Sequence, residues 1–168
     1  MDELEKFRVE KDEFFLSGDN SPLTVEQKAA FDGLHYFPSN PLLKMELHIE
    51  RNPEPQLVTM QTSTGDIREY LKIGQINFRI GDSDCTLQVY EDDYGFFLPF
   101  IDQTAPGETY GAGRYLEPQE IRPDVMYVDF NLAYNPYCAY NDRWSCPLPP
   151  NENRLNVRIE AGEKKFHQ

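Results

Sequence analysis

Four stretches of this chain alternate apolar and polar residues with a period of two. Met45, Leu47 and Ile49 alternate with Lys44, Glu46, His48 and Glu50, and Ile76, Phe78 and Ile80 with Gln75, Asn77 and Arg79. Cys85, Leu87 and Val89 alternate with Thr86 and Gln88, and Leu155, Val157 and Ile159 with Arg154, Asn156 and Arg158. Successive strand side chains point to opposite faces, so each stretch offers one face to a core and one to water. Turn residues separate them: Asn52-Pro53, Thr64-Gly65-Asp66, Gly74, Gly81-Asp82, Asp92-Asp93 and Gly95. GFFLPFI (95–101) is apolar on both faces, which predicts a covered central strand. VMYVDFN (125–131) puts Met126, Val128 and Phe130 on a core face and Tyr127, Asp129 and Asn131 on the other. Polar groups on a central strand predict a cavity or a buried polar network there.

Two short helices precede the strands. In residues 2–16, Leu4, Phe7, Phe14 and Phe15 fall on one face, and Ser17-Gly18-Asp19-Asn20 ends the segment. In SPLTVEQKAAFDGL, Thr24 and Gln27 form a capping box, and Gly33 suits the C-terminal end. Val25, Ala29 and Phe31 or Leu34 are expected to dock on the body. The chain thus reads as one mainly-β domain over 1–168: a helical segment at 1–36, then at 43–168 an antiparallel barrel or sandwich of about eight strands. The two helices pack outside it. Residues 132–153 form a long connection rich in asparagine and proline, with Tyr134, Tyr137, Cys138, Tyr140, Trp144 and Leu148. It is too apolar for a solvated tail and too long for an ordinary loop, so it is expected to be ordered and functional.

The formal charge is −13, and the only basic doublet is Lys164-Lys165, so neither a nucleic-acid nor a membrane-surface footprint is present. The acidity serves solubility. The first fifteen residues lack a basic start followed by an apolar run, so no signal peptide is expected. Three cysteines, an odd number, point to a reducing compartment and a cytoplasmic protein. Edge strands and aromatic content allow a homodimer without requiring one.

Three segments can carry chemistry. In the first, 102–116, Arg114 suits a bidentate carboxylate or phosphate contact, with Asp102, Tyr110 and Tyr115 beside it. An internal ion pair that pins the loop is the alternative. In the second, Asp129, Asn131, Tyr134 and Asn135 offer directional hydrogen bonds to a small polar ligand, or anchor the loop to the barrel. In the third, 147–154, a rigid proline strap leads to Glu152 and Asn153. Glu152 with Asp102, Glu108 or Asp129 would make a general acid/base couple. Asp102, Thr104, Glu108 and Glu152 would alternatively offer oxygens to Ca²⁺ or Mg²⁺. Cys138 and Cys146 are spaced C-x7-C; zinc, a disulfide, a nucleophile and simple burial are all open, and burial suits free cysteine best. Neither a phosphate-binding loop, a dinucleotide fingerprint nor a G-x-S-x-G elbow occurs, and no cofactor is indicated.

These residues also carry a resemblance. F-F (Phe14, Phe15), S-P-L-T-x-E-Q (Ser21 to Gln27), G-L-x-Y-F-P (Gly33 to Pro38), T-S-T-G (Thr62 to Gly65) and P-F-x-D-x-T (Pro99 to Thr104) are followed by E-T-Y-G-x-G-R-Y-L (Glu108 to Leu116). D-F-N-x-A-Y-N-P-x-C-A-Y (Asp129 to Tyr140), C-P-L-P-P-x-E-N-R-L (Cys146 to Leu155) and A-G-E (Ala161 to Glu163) complete the set. The pattern resembles the DUF1684 family of bacterial and archaeal proteins across nearly the whole chain. The resemblance implies that the three candidate segments belong to one shared feature; it implies no reaction.

Three readings follow. An enzyme on a small polar or anionic molecule would use Glu108, Asp129 or Glu152 as acid/base and Arg114 as orienting group, in a cavity where two carboxylates converge. A binding protein would hold its ligand with Arg114, Tyr115, Asn131, Tyr134 and Asn135. A structural or interaction protein would have those polar groups satisfy one another.

Overall fold

The computed structural model describes residues 1–168. Two helices, α1 (Glu3–Ser17) and α2 (Val25–Ala30), precede seven strands. These are β1 (Lys44–Gln61), β2 (Ile67–Ile80), β3 (Ser83–Asp92), β4 (Gly95–Phe100), β5 (Arg114–Leu116), β6 (Gln119–Arg122) and β7 (Val125–Asp129). They form one antiparallel sheet in the order β5-β4-β3-β2-β1-β7-β6.

The mainly-β fold with two N-terminal helices is as expected, but in place of a barrel or sandwich of about eight strands a single seven-stranded sheet curls into a half-barrel that does not close. Edge strands β5 and β6 are joined by Glu117-Pro118 without pairing to each other, and Tyr115 of β5 instead bridges Tyr134, in the segment after β7, through main-chain hydrogen bonds of 2.9 and 3.0 Å. The eighth strand, expected at 154–159, is an irregular extended segment. Leu155 N–H donates to Ile101 O, but Ile159 N–H donates to the Asp102 carboxylate at 2.6 Å. Its alternation is real, since Leu155 and Ile159 are buried. A side chain takes the place of the neighbouring strand.

The main core fills the concave side, with Ile49, Ile76, Leu87, Leu98, Phe100 and Met126. Each such side chain contributes roughly 1.5–3 kcal/mol. A second, aromatic cluster of Tyr70, Tyr90, Phe97 and Tyr115 covers the opposite face. Hence β4 is apolar on both sides, as its sequence predicts: Leu98 joins the first cluster and Phe97 the second. It lies next to the edge rather than at the centre.

The helices pack outside the sheet. Both start in capping boxes, Asp2 with Glu5 and Thr24 with Gln27. They are anchored by a third cluster, where Phe15 meets Tyr140 edge-on at 5.1 Å and Leu23 packs beside them. Val25 does not dock; it is 80% exposed, because the residues flanking the short α2, Leu23 and Phe31, provide its anchorage. Phe7 and Phe14 also stay partly exposed.

Candidate functional site

Arg114 opens β5 directly after Gly113, whose φ of +99° and contact with Phe100 O exclude a side chain. The guanidinium is almost completely buried over the Phe100 ring. It donates to the carbonyls of Ile159 (3.0 Å), Glu163 (3.1 Å) and Ala161, and lies 3.4 Å from Asp102 Oδ1. Burial lowers its pKa and the Asp102 carboxylate opposes that shift. Asp102 also accepts from Thr104 Oγ1 at 2.9 Å and from Ile159 N–H. The pair pins 159–163 against β4 and β5, so the sequence-level clamp for a ligand is engaged internally.

The second group is likewise engaged. Asp129 Oδ1 accepts from Asn131 N–H and Nδ2, each at 2.9 Å, and Asn131 exchanges two hydrogen bonds with the Asn40 main chain. This is the buried polar network that β7 predicts, and it fastens the approach to β1. Asn135 Nδ2 donates to Lys164 O at 3.0 Å. Asn153 is fully buried: its Oδ1 accepts from Gln88 N–H at 2.8 Å, and its Nδ2 donates to Gln88 O and Pro99 O. One amide therefore splices β3 to β4 beyond their ladder.

The three proposed acid/base residues lie apart. Glu108 is exposed and paired with Arg158 beside a cavity of about 690 Å³ lined by His35, Lys164 and Lys165. Asp129 borders a separate cavity of about 210 Å³. Burial pushes the Glu152 carboxyl up, but its Lys72 ion pair (2.8 Å) and the Tyr90 hydroxyl outweigh that and hold it below the usual value. None of the five principal cavities contains two of these carboxylates. No three His, Cys, Asp or Glu side chains gather at metal-binding distances.

What the chain does build is a groove of about 670 Å³ between α1, the tip of the β1–β2 hairpin and the 134–147 loop. Phe7, Phe14, Tyr115, Tyr134, Tyr137 and Trp144 wall it. Lys11 and Arg68 supply positive charge, and Glu10 and Glu117 negative. Lys11 pairs with the buried Glu163, which also accepts from Tyr140 OH at 2.8 Å and Asn135 N–H at 3.3 Å. Arg68 donates to Ser145 O at 2.6 Å and has no carboxylate partner. A second cavity of about 460 Å³, with Tyr70 and Phe97, shares Arg68, Tyr115, Glu117, Tyr134 and Pro147 with the first. Burial, and then the hydrogen bond to Glu117, raise the pKa of Tyr134 and keep it a donor. Of the residues named from sequence, Tyr115 and Tyr134 line this groove. Sequence reasoning missed Lys11, Arg68, Glu117 and Glu163, with only the A-G-E segment pointing towards the last, and it named Trp144 solely as part of the long loop.

A family model described as "Protein of unknown function (DUF1684)" matches residues 29–164. The chain belongs to the DUF1684 family. It is also 35% identical to an uncharacterised protein of Haloarcula marismortui solved by NMR in solution, over 98% of this chain and 94% of that one, with a TM-score of 0.74. No curated protein matches. The DUF1684 segments quoted above meet in space. Arg114 of the E-T-Y-G-x-G-R-Y-L segment holds the A-G-E carbonyls, and Tyr140 of the asparagine-rich segment holds Glu163. Gly162, at φ +79°, lets A-G-E pass so close to Ala133 that a Cβ there would sit 2.7 Å from Ala133 O and clash. The motifs thus form the staple beneath the groove.

Proposed function

We propose that the protein binds a small anionic molecule with a flat apolar body in the groove under α1. The observation that carries this reading is Arg68: a guanidinium without a carboxylate partner, at the junction of two aromatic-walled cavities, in a chain of net charge −13. An unpaired guanidinium offers bidentate hydrogen bonds to a carboxylate or phosphate, and the aromatic walls suit a planar body. Tyr115 and Tyr134, with Glu117, add polar contacts for a small polar molecule. Non-catalytic binding has more support than carboxylate acid/base catalysis, since Glu108, Asp129 and Glu152 sit at three separate places. The polar residues from Asp102 to Asn153 outside the groove act as its scaffold. We further place the protein in the cytoplasm, on its three free thiols, and expect neither nucleic acid nor membrane as partner, on its charge. No helix is long and apolar enough to cross a membrane.

Calorimetric titration with 1-naphthoate, acetate and the neutral 1-naphthalenemethanol tests the reading. Saturable binding of naphthoate alone is expected, weakened roughly ten- to hundredfold in Arg68→Gln, as loss of a charged hydrogen bond predicts. Native mass spectrometry of freshly purified protein should show any retained ligand as excess mass. Equal naphthoate binding by wild type, Arg68→Gln and Trp144→Ala would sink the proposal.

A further inference from the structure

Cys146 lines the groove, and Cys138 lies against it in the same loop. Cys138 lies in the short 3-10 turn Tyr137–Ala139 and is partly exposed; Cys146 is buried. The Cys138 N–H donates to Cys146 Sγ at 3.2 Å. The Tyr110 hydroxyl lies 3.6 Å from Cys138 Sγ. Ser63 fixes the other cysteine through both main-chain groups: Cys146 N–H donates to Ser63 Oγ at 3.1 Å, and Ser63 N–H to Cys146 O at 2.9 Å. Both sulfurs are free, and neither is engaged by a metal-ligating neighbour. The third cysteine, Cys85, is buried in the main core on β3, to which neither of the other two belongs.

We propose that Cys138 and Cys146 are an oxidisable dithiol, which a hydroperoxide converts into an intramolecular disulfide. The placement supplies what such chemistry needs: one accessible sulfur, a second within reach to resolve the first product, and donors around both. Exposure assigns the roles: Cys138 is partly exposed and Cys146 buried. The neighbouring Cys146 side chain draws Cys138 down to about 6; burial opposes this, and Tyr110 and Ser63 assist. Cys146 is shifted the other way, by its Cys138 neighbour and by burial, and stays protonated. Cys138 is the attacking thiolate and Cys146 the resolving thiol.

In the first step the Cys138 thiolate attacks the distal peroxide oxygen. An S–O bond forms and the O–O bond breaks. The leaving alkoxide takes a proton from solvent, replacing the one Cys138 released on ionising. In the second, Cys146 loses its proton and attacks the Cys138 sulfur of the sulfenic acid. The S–S bond forms, the S–O bond breaks, and hydroxide leaves with that proton as water. The dithiol gives two electrons, and the hydroperoxide is reduced to an alcohol and water, or for hydrogen peroxide to two waters.

The test treats the reduced full-length protein with a few equivalents of hydrogen peroxide, blocks remaining thiols with iodoacetamide and reads intact and peptide masses. Expected, with alkylation carried out in denaturant, is a single blocked thiol, on Cys85, and a Cys138–Cys146 cross-linked peptide about 2 Da lighter than the sum of its two thiol peptides, reversed by dithiothreitol. In Cys146→Ser the reaction should stop at a sulfenic acid on Cys138, trapped by dimedone; in Cys138→Ser the rapid phase should vanish. A measurement on the wild type alone guards against misfolded variants. The alkylation rate of Cys138 against pH should have its midpoint near 6, whereas a midpoint near the ordinary ~8.5 overturns the assignment of the attacking thiolate. Survival of all three thiols under peroxide, oxidation of Cys85 at the same rate, or cross-links only between molecules would each overturn the proposal.

Discussion

Replacing Arg114 with alanine removes the guanidinium that gathers the carbonyls of Ile159, Ala161 and Glu163, and leaves the Asp102 carboxylate buried without its cation. The expected cost is about 3–5 kcal/mol, read as a lower urea midpoint at unchanged slope. Arg114→Lys should restore only part of it, because an ammonium cannot span three carbonyls and a carboxylate. Asp66 gives a pH-dependent counterpart. The hydroxyls of Thr62, Thr64 and Ser145 hold its carboxyl down at about 2, against 3.8 ordinarily. A carboxylate depressed by folding stabilises fully above its unfolded value and loses that contribution as pH falls through its folded value. Melting curves between pH 5 and 2 should therefore fall more steeply for wild type than for Asp66→Asn, with the difference gathered between about pH 4 and 2. At this scale the sequence was half informative. Arg114, Asp129, Asn131 and Asn153 stood out by chemistry, and all are buried and bonded. Composition marks a residue able to make strong hydrogen bonds but is silent on whether the partner is a ligand or the protein's own main chain.

Helix α1 buries one side chain, Phe15, and is otherwise tied down by polar contacts of Lys11 with Glu163 and of Asp12 with Leu34 N–H. Phe15 is almost completely buried against Tyr140, Phe31 and Leu23, whereas Phe7 is 44% exposed on the groove wall. Phe15→Ala should cost about 3–5 kcal/mol, while Phe7→Ala should stay within about 0.5 kcal/mol; thermal denaturation distinguishes them. Elements were legible wherever local chemistry decides. The Thr24–Gln27 capping box, the alternation in β1, β2 and β3 and the doubly apolar β4 follow from residues a few positions apart. The segment 154–159 was not, although its alternation matches that of a strand. Asp102 and Arg114 take its main-chain groups, and a competitor about fifty residues away leaves no local trace.

For the whole molecule the dominant long-range quantity is charge. A net −13 repels itself across a chain of this size, and salt shortens the Debye length from about 30 Å at 0.01 M to about 3 Å at 1 M. The melting temperature should rise with sodium chloride over that range; a flat or falling curve would show that ion pairs such as Arg51–Glu120 and Arg158–Glu108 outweigh the repulsion. The groove was the least legible feature, because its walls come from α1, the β1–β2 hairpin, Tyr115 to Glu117 and the 134–147 loop, which no local spacing links. The loop that carries both sulfurs has two anchorages. Ser63, Gln61 and Arg68 of the hairpin bind the main chain of Ser145 to Leu148 and carry Cys146 with it. Asn135 and Tyr140, which flank Cys138 in the chain, are moored to Glu163 together with Lys11 of α1. The spacing of the two sulfurs is therefore set by two separate moorings, the hairpin for one and the buried Glu163 for the stretch around the other.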